Sequence, residues 1–208
     1  MATTIALNKA GKRFNRDWIF RNLTFQFESG NSYAIIGSNG SGKSTFLQVI
    51  SSALHLNEGV CTWANETPLP PEKVYRFIAY CAPYLELIEE MTLLEFLEFH
   101  QHFKPFVAGM TPEKIIAEIG MQAAAHKRIQ QFSSGMKQRA KLAQCIYSDV
   151  PVLLLDEPCT NLDRQGIDLY YALMDQYGKN RLVLVGSNDE VEYKFCRQRL
   201  NIMDYKPV

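Results

Sequence analysis

A short apolar run in the sequence ends in two adjacent carboxylates: VLLL, beginning at Val152, is followed by Asp156, Glu157 and Pro158. Apolar runs this short, bounded by prolines, are typical of buried strands in parallel sheets, whose carboxyl ends face a ligand crevice. Two like charges in one small volume repel each other unless a cation or a substrate uses them. A helix N-cap with a solvated neighbour is the alternative, and this stretch alone does not decide between the two.

A glycine-rich loop earlier in the chain provides a context for the two carboxylates. The apolar strand SYAIIG runs into GSNGSGKST, and FLQVISSAL follows with apolar residues at helical spacing through Leu54. Glycines let successive backbone N–H groups point at an anion, and the helix that begins there adds the positive end of its dipole. The pattern G-x-x-x-x-G-K-S between a strand and a helix therefore predicts a nucleotide phosphate site. Its predicted residues are Gly37, Ser38, Asn39, Gly40, Ser41, Gly42, Lys43, Ser44 and Thr45.

The residue types of the two stretches predict a division of roles. Lys43 is expected to reach the β- and γ-phosphates, and the Ser44 hydroxyl is expected to bind Mg²⁺, which prefers hard oxygen ligands. Asp156 would hold the same Mg²⁺ through water, opposite Ser44. Glu157 would then be free to orient and polarise an attacking water.

The elements that must position these residues are of two kinds. Strand-like alternation fills the first sixty residues, and a mostly helical stretch extends over roughly 85–148, between the two motifs. Within that stretch, Thr92 with Glu95 predicts a capping box, and a second helix is expected after Thr111. The stretch ends in FSSGMKQR, where serines and a glycine begin a helix and make a second place for an anion.

Bulk composition excludes several classes of protein. The 208 residues suit a single domain over 1–208, and 22 basic residues balance 22 acidic ones, so no nucleic-acid partner is expected. The sequence shows no apolar stretch of the roughly 20 residues that a membrane span needs, and its N-terminus lacks the apolar region of a signal peptide. Five cysteines, an odd number without close spacing, do not suggest a disulfide framework or a zinc site. We therefore expect a cytoplasmic protein.

With these motifs in order, the whole chain resembles the ATP-binding cassette (ABC) family, in particular the nucleotide-binding subunits of transporters. GSNGSGKST resembles the family's Walker A loop, FSSGMKQR its signature motif, VLLLDEP its Walker B motif, and TNLD at 160–163 its D-loop. The resemblance implies an α/β fold. Its parts would be a P-loop NTPase core with a mostly parallel sheet, an N-terminal antiparallel β subdomain and a helical subdomain inserted at about 85–148.

The resemblance also implies partners. ATP and Mg²⁺ would be the cofactors, and a second nucleotide-binding subunit would pair head to tail, as a homodimer or a heterodimer. Ser133 and Gly135 would then contact the γ-phosphate of ATP held by the partner. Phe14 matches the aromatic residue that stacks on adenine, with Trp18 as a competitor. The stretch 80–96 is similar to the region that docks on separate transmembrane subunits, which would place the protein on the inner face of the cell membrane.

Three departures from the family pattern bear on catalysis. Ser134 and Met136 replace a glycine and a glutamine of the signature, Pro83 replaces the glutamine between the lobes, and Asn188 replaces the switch histidine. Glu157 and Asn188 remain the candidate catalytic residues. An amide can donate a hydrogen bond but cannot take a proton, so slow turnover is expected.

The sequence leaves other functions open. A non-transport ABC ATPase and a nucleotide-gated module with very weak hydrolysis are the main alternatives to a transporter subunit. A small P-loop kinase would leave FSSGMKQR unexplained. Export is favoured slightly over import, by resemblance alone.

Overall fold

The computed structural model describes residues 3–207, which form nine strands and six α-helices. The strands are β1 (Thr3–Phe14), β2 (Asp17–Glu28), β3 (Ser32–Ile36), β4 (Glu58–Asn65), β5 (Thr67–Leu69), β6 (Ile78–Cys81), β7 (Val152–Asp156), β8 (Leu182–Gly186) and β9 (Gln198–Asn201). The helices are α1 (Lys43–Ile50), α2 (Leu93–Phe103), α3 (Pro112–Glu118), α4 (Ser134–Ile146), α5 (Arg164–Tyr177) and α6 (Glu190–Tyr193).

The strands form two sheets of different kinds. The antiparallel sheet has the order β2-β1-β4-β5, and the parallel sheet has the order β6-β7-β8-β3-β9. In the parallel sheet, Asp156 lies opposite Gly186, and Gly186 lies opposite Ile35. Because parallel strands end at the same edge of a sheet, this register brings the residues after β3, β7 and β8 together. The mixed α/β fold predicted from the sequence is confirmed.

Both faces of the parallel sheet are covered. Every residue of β7 and of β8 is buried, as the unbroken apolar runs predict. Leu153 and Leu155 belong to the cluster that includes the helices between β6 and β7, whereas Val152 and Leu154 belong to the cluster that includes α1 and the antiparallel sheet. Alternate side chains of β7 therefore pack against the helical part of the chain on one face and against α1 and the antiparallel sheet on the other.

The predicted helix signals between β6 and β7 are confirmed. Thr92 and Glu95 form both hydrogen bonds of the capping box at the start of α2. Thr111 is the N-cap of α3, with Pro112 as its first residue. Ser133 is the N-cap of α4 and accepts a hydrogen bond from the backbone N–H of Met136.

The helix after the glycine-rich loop is shorter than its apolar spacing indicates. We expected the pattern to run through Leu54, but α1 ends at Ile50, and Ser52 has a φ of 62°. The indole of Trp63 on β4 donates a hydrogen bond of 2.9 Å to the carbonyl of Ile50. A continuing helix would use this carbonyl for the N–H of Leu54, which instead bonds to Gln48. The antiparallel sheet thus fixes where α1 stops.

Replacing this tryptophan tests how firmly the antiparallel sheet is attached to α1. Trp63→Phe keeps a ring but leaves the buried carbonyl of Ile50 unpaired, so we expect a loss of about 1–3 kcal/mol in the free energy of unfolding. Urea denaturation followed by circular dichroism measures the loss. Val60→Thr, an exposed position on the same strand, is the control and should change stability by less than about 0.5 kcal/mol. Equal stability of Trp63→Phe and Val60→Thr would contradict the attachment.

Candidate functional site

The glycine-rich loop lies between the end of β3 and the start of α1. Gly42 is the N-cap of α1 with a φ of 107°, in the left-handed region that favours glycine. A Cβ atom at this position would lie 2.0 Å from Cγ2 of Ile19 on β2. Only glycine fits there, because the antiparallel sheet packs directly against the loop.

Lys43 lies inside the curve of the glycine-rich loop. Its residue surface is only 4% exposed, and Nζ donates hydrogen bonds to the carbonyls of Gly37 at 3.0 Å and Ser38 at 3.2 Å. Within residues 3–207 the ammonium forms no salt bridge with a carboxylate. The buried hydroxyl of Ser41, in the same loop, also has no hydrogen-bond partner among those residues. The loop therefore presents a buried cation and an unused hydroxyl, which an anion such as a phosphate would satisfy.

Asp156 is the most unusual group of the site. The residue is 1% exposed, and neither carboxylate oxygen has a hydrogen-bond partner in the described part of the chain. Burial raises the pKa of Asp156 to about 6, although the nearby Ser44 hydroxyl and the Lys43 ammonium act in the opposite direction. An orphaned carboxylate beside a hydroxyl is a set of hard oxygen donors, and it fits Mg²⁺. Asp156 and Ser44, predicted from separate motifs, are therefore neighbours in the structure.

Glu157 and Asn188 line the same cavity, of about 300 Å³, at the carboxyl ends of β7 and β8. Glu157 has a φ of 46°, and its N–H donates a hydrogen bond of 2.9 Å to the carbonyl of Gly186. This bond ties the first residue after β7 to the last residue of β8. Asn188 is exposed on the loop that follows β8. The two predicted catalytic residues thus share one opening.

The start of α4 packs against the loop that follows β7. A Cβ atom on Gly135 would lie 3.0 Å from the carbonyl oxygen of Asn161, and the side chain of Gln138 donates a 2.7 Å hydrogen bond to the carbonyl of Pro158. Ser133 is exposed. Among residues 3–207, no hydrogen bond joins 132–136 to the glycine-rich loop. The structure therefore does not bring Ser133 and Gly135 to the loop of their own chain.

The two aromatic candidates for contact with a base differ in their surroundings. Phe14 at the end of β1 is 46% exposed, with Nζ of Lys12 at 5.0 Å from its ring centroid. Trp18 is half-buried, with the guanidinium groups of Arg13 at 5.3 Å and Arg21 at 4.5 Å from its ring. Because Phe14 is more exposed than Trp18 and has one cation at its ring instead of two, Phe14 remains the better candidate for stacking.

The sequence patterns did not reveal a polar chain beside Pro83. Gln48 on α1 donates a 2.8 Å hydrogen bond to the hydroxyl of Tyr84, which donates one of 2.8 Å to the hydroxyl of Tyr80. Lys141 on α4 donates a 2.8 Å bond to the carbonyl of Pro83. The hydrogen bond between Gln48 and Tyr84 links the residue after Pro83 to the helix of the glycine-rich loop.

The sequence patterns also did not reveal Glu192. It is buried on α6, and Oε1 accepts a 2.7 Å hydrogen bond from the N–H of Cys159, while Oε2 has no partner in the described residues. Burial raises the pKa of this carboxyl group. Glu192 lines the same cavity as Glu157 and Asn188. Its hydrogen bond with Cys159 connects α6, which follows β8, to the loop after β7. The only indication of Glu192 in the sequence is its position, four residues after the candidate catalytic residue Asn188.

Neutralising the orphaned carboxylate should stabilise the protein when no ligand is bound. The pKa of Asp156 is raised, so the charged form destabilises the folded state, and this penalty grows as the pH rises from the ordinary pKa of 3.8 to about 6 and is nearly complete above that. We expect Asp156→Asn, in metal-free and nucleotide-free buffer, to raise the free energy of unfolding by about 2–3 kcal/mol at pH 7 and by less at pH 5. Urea denaturation at both pH values measures this. Asp168→Asn, at an exposed position on α5, is the control, and an Asp156→Asn variant no more stable than that control would contradict the burial argument.

Comparison with known proteins places these features in a family. Residues 20–160 match the family model described as ABC transporter. The cytochrome c biogenesis ATP-binding export protein CcmA of Haemophilus influenzae is 28% identical over 193 residues, which cover 90% of this chain and 90% of that protein. Members of the family bind ATP and in general hydrolyse it. In the residues 3–207, no helix is both long enough and apolar enough to cross a membrane.

Solved structures show the same fold. A putative ABC transporter ATP-binding protein from Pyrococcus furiosus superposes with a TM-score of 0.82 at 19% identity, covering 98% of this chain and 100% of the other. A dimeric bacterial ABC transporter cassette has a TM-score of 0.77 at 21% identity, covering 95% of this chain and 94% of the other. With the family match over 20–160 and the order of the motifs, these findings show that the chain belongs to the ABC transporter family, as an ATP-binding cassette.

Proposed function

We propose that this cassette binds ATP with Mg²⁺ and hydrolyses it slowly. The observation that carries the proposal is the buried Asp156 carboxylate, which has no partner and lies beside Ser44 and Lys43. Mg²⁺, when bound, would neutralise charge between this carboxylate and the phosphates. The backbone N–H groups of residues 37–45 and the Lys43 ammonium would bind the phosphate oxygens.

Glu157 and Asn188 would act on the water that attacks the γ-phosphate. The Glu157 carboxylate would orient that water and polarise it. Asn188 offers an amide donor to the γ-phosphate but cannot carry a proton or a positive charge. Pro83 has no side-chain donor or acceptor where the family has a glutamine. Slow turnover follows from these two replacements.

The second nucleotide-binding subunit completes the site in this proposal. Ser133 and Ser134, at the start of α4, are exposed and have no hydrogen bond to the glycine-rich loop within residues 3–207. The same turn contacts Asn161 and Pro158, so it is held by the loop that follows Asp156. A γ-phosphate on a second subunit is the ligand that suits this exposed helix start. We propose head-to-tail pairing, in a homodimer or a heterodimer.

The docking surface for separate transmembrane subunits is proposed on the helical part at about 85–148 and the stretch before it. Several large apolar side chains are exposed there, and Phe99 and Phe103 form a pair with ring centroids 5.0 Å apart. The others are Tyr84, Leu85 and Ile88. Exposed apolar groups of this size mark interaction surfaces in soluble domains. CcmA of Haemophilus influenzae is named an export protein, which supports export here as well. A cassette docked on transmembrane subunits would lie on the inner face of the cell membrane.

A nucleotide-gated module with very weak hydrolysis is the second candidate function. Asn188 and Pro83 favour it, because both replacements affect turnover and neither removes a group that binds phosphate. The two candidates predict the same nucleotide binding and pairing, and they differ in the rate of phosphate release.

Replacing Glu157 should separate pairing from turnover. In Glu157→Gln the amide keeps the shape of the side chain but does not polarise water, so ATP should stay bound and the paired state should persist. We expect light scattering with MgATP to report twice the mass of the chain for this variant. Glu157→Gln with Lys43→Ala, which removes the phosphate-binding ammonium, is the control and should remain monomeric. If Glu157→Gln alone also stays monomeric at high concentration, self-pairing is wrong and a different partner subunit is required.

Replacing Asn188 tests the cause of slow turnover. A histidine can carry positive charge toward the phosphate oxygens, so Asn188→His should speed phosphate release at saturating MgATP by about tenfold, or 1.36 kcal/mol. A well-placed donor can change the rate by about 10²–10³-fold. We expect a smaller gain here, because Asn188→His leaves Pro83 in place of the family's glutamine. Lys43→Ala and Glu157→Gln give the background rate. An Asn188→His rate no higher than wild type, with both controls inactive, would show that Asn188 is already adequate. A wild-type rate equal to the background would support the nucleotide-gated module.

A further inference from the structure

A cavity lies at the end of the parallel sheet opposite the candidate nucleotide site. Its volume is about 580 Å³, within the range of small-molecule sites. Ser32 and Val183, at the starts of β3 and β8, line it, whereas the glycine-rich loop and Asn188 follow the other ends of these strands. The carboxyl-terminal half of α5 and the segment before β9 complete the walls. No role proposed for this chain so far uses this cavity.

The walls of this cavity are joined by backbone hydrogen bonds. The N–H of Gly30 donates to the carbonyl of Arg181 at 3.2 Å, and the N–H of Arg197 donates to the carbonyl of Ser32 at 3.1 Å. The Ser32 hydroxyl also donates to the carbonyl of Phe195 at 3.3 Å. Three separate segments are therefore held in place without a ligand, as in a preformed binding site.

The charge on these walls is strongly positive. Lys179, Arg181, Lys194 and Arg197 line the cavity together with one acidic residue, Asp175. Lys179 pairs with Asp175 at 2.8 Å, and within residues 3–207 the other three form no salt bridge. The formal charge of the chain is zero, so this concentration of unpaired cations is local. An anion is the ligand that such an environment attracts.

Two of these cations are held by groups that do not neutralise them. Arg181 is buried and donates a 2.8 Å hydrogen bond to the carbonyl of Ile146, and burial lowers its pKa. Nζ of Lys194 lies 4.0 Å from the ring centroid of Tyr171, in a cation–π contact. These contacts position the cations but leave their charge for a ligand.

Apolar and aromatic side chains line another part of the cavity, contributed by Tyr171, Met174, Val183 and Phe195, and Asn31 and Ser32 add polar groups. We propose that this cavity binds a small organic anion with an apolar body. Its carboxylate, sulfonate or phosphate group faces Lys194 and Arg197, and its body packs against Tyr171 and Phe195. A purely inorganic anion would leave the apolar wall unused, and a neutral hydrocarbon would leave the cations unpaired.

Fluorescence titration with 1-anilinonaphthalene-8-sulfonate tests the proposal, since this probe joins a sulfonate to an aromatic body. The titration is made with saturating MgATP, and again without nucleotide in Lys43→Ala, so that binding at the glycine-rich loop is recognised. We expect one probe per chain in both settings. N-phenyl-1-naphthylamine, which has the same body without the sulfonate, should bind at least about fivefold more weakly.

Paired variants locate the site. Lys194→Gln with Arg197→Gln, both at exposed positions, should weaken binding of the sulfonate probe about tenfold and leave binding of the neutral probe unchanged. Lys73→Gln removes an exposed cation outside the cavity and should have no effect. In the NMR spectrum, the amides of Ser32 and Lys179 should shift with the probe. The proposal is overturned by no saturable binding, by loss of binding in Lys43→Ala, by equal affinity of the two probes, or by a double variant that matches Lys73→Gln.

Discussion

The carboxylate of Asp156 is buried at the end of a central strand, and neither of its oxygens has a hydrogen-bond partner among residues 3–207. Burying a charge without a partner costs free energy, so the rest of the fold has to supply that free energy. The apolar residues of β7 contribute to both hydrophobic clusters of the protein, and this packing holds Asp156 in place. Ser44 and Lys43 act to lower its pKa, but burial outweighs them and the pKa stays raised.

The other parts of the site are attached to this strand and its neighbour. Glu157 bonds to the end of β8, Glu192 accepts from the N–H of Cys159, and Gln138 donates to the carbonyl of Pro158. The loop after β7 is thus held by α4 on one side and by α6 on the other. A shift of α4, caused by a partner at its exposed start, would therefore reach the loop that carries Glu157.

The sequence predicts the elements whose signals are local. The apolar run of β7, the glycine pattern before α1 and the capping box at Thr92 each depend on neighbouring residues, and the structure contains all three. It does not predict where α1 ends, because the Ile50 carbonyl is taken by Trp63 from another sheet. The Tyr84 contact with Gln48 was missed for the same reason, since it joins residues 36 apart. Side-chain contacts between distant segments leave no periodic signal.

Isothermal titration of ATP with and without Mg²⁺, for wild type and Asp156→Asn, tests most directly whether the orphaned carboxylate is held for a metal ion. For wild type, we expect Mg²⁺ to raise the affinity for ATP by about tenfold or more, a coupling of at least 1.4 kcal/mol. In Asp156→Asn this enhancement should fall to about twofold or less, while the affinity for metal-free ATP is kept or increased. An equal enhancement by Mg²⁺ in both proteins would contradict the account.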